Sequence, residues 1–147
     1  MIESLRPRLT VITLGVDDVK TSAAFYERLG FVRAPGGGDQ VAFFDTGASA
    51  LALYSWKLLA EDATQADQPR PAAFRGATLA WNCRTPEEVD AVLAFAVETG
   101  AQLLRAAGAT HYGGYRGYFT DPDQHVWEVV TAPGVDVRDD GRVDLSS

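Results

Sequence analysis

Runs of apolar residues along this chain follow two periods, two and about 3.6, and the order of those runs is the same in both halves. Leu9 to Val16 (LTVITLGV) is rich in β-branched residues and predicts a strand with both faces largely buried. Asp17 or Asp18 then stands where a helix cap belongs, ahead of VKTSAAFYERLG. In that segment Val19, Ala23, Tyr26 and Leu29 fall near helical spacing beside Phe25, and Gly30 is placed to stop the helix. Phe31 to Ala34 predicts a short strand. Gly36 to Gly38 reads as a flexible loop, because no helix led by Lys and Ser or Thr follows as a phosphate loop requires. Val41–Asp45 and Ala50–Trp56 predict a hairpin turning near Thr46, Gly47 and Ala48.

The stretch from Lys57 to Arg75 is polar and carries Pro69 and Pro71, which marks a linker with a short helix over Leu58 to Asp62. Then the order starts again. Ala77 to Cys83 predicts a strand, and Thr85, Pro86 and Glu88 form a helix start before Val89, Val92, Leu93 and Ala96 on one stripe. Gly100 ends that helix. Gln102 to Ala106 predicts a strand and Ala107 to Thr110 a loop. Gly114 to Pro133 predicts two strands, one carrying Tyr115, Tyr118 and Phe119 and the other Val126, Trp127, Val129 and Val130, around a turn at Asp121–Pro122–Asp123–Gln124, with Asp121 mirroring Asp45 of the first hairpin. The expected fold class is α+β: two tandem βαβββ modules, about 8–56 and about 76–133, joined by a linker at about 57–75. Two such units make a curved mixed sheet with helices on the convex face and a concave ligand cavity. The tail, 134–147, is expected to be a loosely held arm.

Composition narrows the partners. A net charge of −7 argues against a nucleic-acid footprint, which needs clustered Lys and Arg. No apolar run approaches the roughly 18 to 20 residues of a bilayer span. MIESLRPRL holds no apolar core of a secretory signal, so the expectation is a soluble cytoplasmic domain. The single cysteine, Cys83, excludes an internal disulfide and reads as a small buried strand residue.

One position departs from the apolar pattern of its strand. Val126, Glu128 and Val130 share a face, so Glu128 is a carboxylate in an apolar row. Desolvation there would raise its pKa and make it a candidate general base. Ligand anchoring, or a pair with Arg116 or a pocket hydroxyl, would use the same carboxylate. His125 lies on the opposite face from Glu128 and is expected at the surface of the turn. His111 and Tyr112 precede the last hairpin, where they could cover a concave mouth.

Several short motifs together resemble the vicinal oxygen chelate superfamily, which includes glyoxalase I, bleomycin-resistance proteins and extradiol dioxygenases. They are Val16–Asp18 with Phe25–Tyr26–Glu27 and Leu29–Gly30–Phe31, then Asp121–Pro122–Asp123 with Trp127–Glu128. In metal-using members the resemblance implies four ligands, from the first and last strands of each module. Matched here, those positions fall on Val11, on or beside Leu51, on Ala77 or Leu79, and on Glu128. Only Glu128 is a ligand residue, whereas an open catalytic metal site needs at least three donors. No metal or other cofactor is therefore expected. The expected cavity is lined by Val11, Thr13, Leu51, Ala77 and Leu79, with Phe44, Tyr54, Trp56, Trp81, Tyr112 and Tyr118 as aromatic walls and Glu128 as the lone acid. The expected ligand is a small apolar or aromatic molecule, sequestered as in resistance proteins. The alternatives are a lyase or isomerase using Glu128 as base, and a metal-dependent lyase or dioxygenase with shifted ligands. The uncharged first strand, lacking edge protection, also leads us to expect a two-fold homodimer.

Overall fold

A computed structural model describes residues 7–145. Module one runs β1 (Val11–Val16), α1 (Val19–Arg28), β2 (Val32–Arg33), β3 (Val41–Asp45) and β4 (Ala50–Ser55). A helix α2 (Trp56–Asp62) and a loop lead to module two. That module runs β5 (Thr78–Asn82), α3 (Pro86–Glu98), β6 (Gln102–Ala109), β7 (Tyr115–Thr120) and β8 (Val126–Thr131). The tail folds back as β9 (Val135–Val137) and β10 (Val143–Leu145). The strands form two four-stranded mixed sheets, ordered β1-β4-β3-β2 and β5-β8-β7-β6, plus the two-stranded tail hairpin. This is the expected α+β repeat. No helix among the described residues is long and apolar enough to cross a membrane.

Local chemistry explains the element ends. The Asp18 side chain accepts the Lys20 N–H and starts α1, while Gly30, at φ 103°, takes the left-handed conformation that stops it. Thr85 accepts the Glu88 N–H, and the Glu88 carboxylate reaches back to the Arg84 N–H, one residue further than in a standard capping box. Trp56 begins α2 instead of ending β4. β6 runs through the segment expected to be a loop, because two register shifts against β7 let its small Ala106–Gly108 stretch stay paired.

The tail is not a loose arm. Arg84 donates to the Val137 carbonyl and pairs with Asp139 at 2.8 Å, and the Asp140 carbonyl lies directly against Gly47 in the β3–β4 turn. The hairpin thus braces module two against module one, and only a residue without a side chain fits at position 47.

One core serves both modules. α1 covers β3 and β4, burying Leu14, Val16, Phe44, Leu51 and Leu53 beneath Val19, Ala23 and Tyr26. α3 covers β6, β7 and β8, and Gly117 is required because an added Cβ would lie 2.9 Å from the Arg105 carbonyl of β6 as well as against Leu93 on that helix. The join is aromatic: Phe31, just past α1, meets Trp81 edge-on at 5.6 Å and Trp127 at 5.7 Å. Beside it Asp121, only 4% exposed, accepts from the Tyr26 hydroxyl at 2.6 Å, and Trp127 Nε1–H donates to that hydroxyl at 3.0 Å. Burial and the neighbouring Asp121 raise the Tyr26 pKa well above its ordinary value. Burial likewise raises that of Asp121, against the pull of the Tyr26 hydrogen bond.

This node makes a pH-dependent prediction. The folded-state pKa of Asp121 lies above 3.8, so the folded chain holds that proton more tightly than the unfolded one. Stability from this group is therefore full below the ordinary carboxyl value and is lost as pH rises through the folded value. In Tyr26→Phe the ionised carboxylate loses the donor that steadies it. Urea unfolding should show a loss of about 1–3 kcal/mol near neutral pH and a smaller loss at pH 3.8, where the raised pKa keeps most of the folded carboxyl protonated. An equal loss at both would mean the hydroxyl does not support the charge.

Candidate functional site

Each sheet has a face opposite its own helix, and strand register assigns residues to it. In module one Val11, Thr13 and Gly15 stand beside Ala50, Ala52 and Tyr54, with Val41 and Phe43 on the next strand. An added Cβ on Gly15 would meet the Trp56 ring at 2.9 Å, so Trp56 closes one end of this face. In module two Ala80 stands beside Glu128 and Glu128 beside Tyr118, with Arg116 and Thr120 on the same face.

The Tyr118 hydroxyl donates to Glu128 Oε2 at 2.6 Å, and that bond is the main reason the phenol is harder to ionise than usual. Glu128 is half-buried between Val126 and Val130, not sealed in the apolar pocket the sequence pattern implied. A pocket hydroxyl, one of the partners foreseen for it, is the partner found. Arg116 instead reaches the Gly108 carbonyl.

Register corrects the expected cavity. The β5 neighbour of Glu128 is Ala80, and the residue equivalent to Ala80, equally far ahead of its helix cap, is Thr13, whose β4 neighbour is Ala52. The four positions that strand pairing and the repeat relate to one another are Thr13, Ala52, Ala80 and Glu128; Val11, the position expected to match the first ligand, shares the open face with Thr13, and Ala52 lies beside Leu51. Leu51 has the wrong strand parity and lies in the core under α1, as does Phe44, which is fully buried. Ala77 precedes β5 and is exposed. Leu79 and Trp81 face the helix side with Trp127. Of the expected lining, Val11, Thr13, Tyr54 and Trp56 share the open face of module one, and Tyr118 joins Glu128 on that of module two. His111 and Tyr112 form an exposed edge-to-face pair in the β6–β7 turn.

This donor set does not fit a metal. The four positions supply one carboxylate, one hydroxyl and two methyl groups, and a divalent ion in an open site needs three strong donors. Among the described residues no three His, Cys, Asp or Glu side chains come together. Burial pushes the Cys83 thiol up to about 11, in keeping with an inert packed side chain.

Sequence reasoning missed a second polar cluster, at the end of β1. His125 is no surface residue: its Nε2 lies 2.7 Å from the Gly15 carbonyl, which can only accept, so Nε2 carries the hydrogen. Its Nδ1 then accepts from Arg75 at 3.2 Å. The Arg70 and Arg75 guanidinium groups lie 4.4 and 4.8 Å from the Trp56 ring centroid, and Arg70 pairs with Asp17. Asp123 accepts the Asp17 N–H at 2.8 Å. The nominal linker is thereby stapled across both modules by cation–π contacts and charge. The Asp-Pro-Asp-Gln-His turn held the signal, since four of its five residues carry side chains that can bond to a neighbouring strand edge.

Fold and face together define a tandem βαβββ protein with an open face opposite its helices. The family model of the Glyoxalase/Bleomycin resistance protein/Dioxygenase superfamily matches residues 8–129, and the chain belongs to that superfamily. A glyoxalase-related enzyme from Fulvimarina pelagi is 35% identical, covering 95% of this chain and 99% of its own, with a TM-score of 0.83. A family enzyme from Burkholderia phytofirmans PsJN (22% identity, 84% and 97% covered, TM-score 0.76) is alike in fold. So is lactoylglutathione lyase from Agrobacterium tumefaciens (20%, 86% and 94%, 0.67). No curated protein matches the chain.

Proposed function

We propose that this superfamily member binds a small apolar or aromatic molecule, without a metal, on the open faces around Glu128 and Tyr118. The donor set carries this reading: three of the four equivalent positions are Thr13, Ala52 and Ala80, which leave space and apolar surface in place of ligands. Glu128, steadied by Tyr118, is then the one acid available to orient a bound molecule.

A catalytic version rests on a single observation. Tyr118 occupies Glu128 Oε2, and among the described residues nothing donates to Oε1. That oxygen is placed to accept a proton from a carbon beside a carbonyl, the step of a lyase or isomerase. Calorimetric titration with aromatic and carbonyl compounds, run beside product analysis, separates the versions. Stoichiometric binding that survives Glu128→Gln within about tenfold, with no product, is expected for sequestration. Turnover abolished by Glu128→Gln would overturn it in favour of the enzyme.

We also propose a two-fold homodimer. The open face of module one presents Val11, 43% exposed, with Val41, Phe43 and Tyr54, an apolar surface that the chain's own helix α1 does not cover. A second copy laying its module two there would close a cavity over Glu128. Light scattering at micromolar concentration should give twice the single-chain 15.8 kDa; the mass of one chain would contradict the dimer.

A further inference from the structure

Between the modules lies a cleft of about 830 Å3 that Glu128 does not line, walled mostly by side chains from the helix side of the sheets. Ile12, Leu51 and Phe31 line one side and Leu79 and Trp81 the other, with the tail hairpin across its mouth. Its origin is a broken symmetry between the two hairpin turns.

At the end of β1 the contact is closed. Ala50 donates to the Thr10 carbonyl, so even-numbered residues of β1 bond to β4 and the Gly15 carbonyl faces outward, where the His125 ring N–H meets it. At the end of β5 the same geometry recurs. Cys83 donates to the Val130 carbonyl, so odd-numbered residues bond to β8 and the Asn82 carbonyl faces outward. Asn82 stands where Gly15 stands in module one. The residue equivalent to His125, three before Ala52 as His125 is three before Glu128, is Ser49. Ser49 lines the cleft, and its short side chain bonds to Thr46 in its own turn at 3.1 Å. Among the described residues no group donates to the Asn82 carbonyl. Where module two supplies an imidazole, module one leaves an aromatic-walled space and an outward-facing acceptor.

We propose that this cleft is a second binding site, for a neutral flat aromatic molecule bearing a ring N–H. Its ring takes the place that His125 fills in the closed contact, packing against Trp81 and Phe31, and its N–H donates to the Asn82 carbonyl. Asp45 and Arg142 both sit at the rim, one charge of each sign, so the cleft gives no net preference to an ion. Its volume lies within the range of small-molecule sites, and buried aromatics with one fixed polar group are their usual lining. The proposal does not rest on the reading of the open faces, since Glu128 points to the other side of the sheet.

The test uses indole and 1-methylindole, which differ in shape by one methyl group and in chemistry by the single donor. In 1H–15N NMR spectra of the full chain, indole should shift the Ser49 and Asn82 amides and the Trp81 ring N–H. It should bind at least about tenfold more tightly than 1-methylindole, because the methylated ring leaves the carbonyl unpaired. Ser49→His is designed to supply the missing imidazole and should abolish indole binding while leaving the spectrum of module two native. Glu128→Gln should leave indole binding unchanged. Equal binding of the two probes would overturn the proposal, as would shifts centred on Tyr118 and Glu128. So would an unshifted spectrum at millimolar indole, or a natively folded Ser49→His chain that still binds it.

Discussion

Asp121 is almost wholly removed from water, and a carboxylate in that position is tolerated only if its oxygens are satisfied. They are. One oxygen takes the Asp123 and His125 N–H groups and shapes the β7–β8 turn; the other takes the Tyr26 hydroxyl from α1 of the opposite module. The same turn then places Asp123 and His125 against the free edge of β1. A single buried acid therefore fixes the local turn, the packing of α1 on module two, and the covering of an exposed strand edge. The relative placement of the modules, and so of their open faces, follows from it. Replacing one partner would leave a buried group unpaired, which costs more than the bond itself contributes.

The repeat supplies two such junctions, and only one is built. Register makes Thr46, not Asp45, the counterpart of Asp121, because the first hairpin turn is one residue shorter. The counterpart of Tyr26 on α3 is Leu93, which offers no donor. Ser49 replaces His125. The first hairpin therefore has no means of latching onto module two, and the gap is spanned by the tail, whose Asp140 carbonyl presses on Gly47. A chain with two latches would have no cleft and no need of the tail hairpin.

Local signals made most of the fold legible. β-branched runs, Thr85–Pro86–Glu88 at a helix start and Gly30 and Gly100 at helix ends each carry their own physics within a few residues. The tail failed that test: a three-residue strand gains stability only from its partner and from Arg84, more than fifty residues away. For the site, strand parity correctly separated Glu128 from His125. Parity within β4 was lost, because Leu51, Ala52 and Leu53 are all buried and no alternation marks which side each takes. That ambiguity put Leu51 in the expected cavity, where the register places Ala52. Nor did anything in the sequence show that Trp56 would carry two guanidinium groups over its ring, since Arg70 and Arg75 reach it across an irregular loop.

We propose that this face recognises molecules through one acid and apolar space, without an ion. The superfamily's metal-using members set the contrast, and Thr13, Ala52 and Ala80, which offer no strong donor, support it. Elemental analysis of chain purified without chelator, and again after incubation with zinc, nickel, manganese and ferrous iron, tests this directly. Less than about a tenth of a divalent ion per chain is expected in every case, with no difference between the natural chain and Glu128→Gln. About one ion per chain, lost in Glu128→Gln, would contradict the proposal.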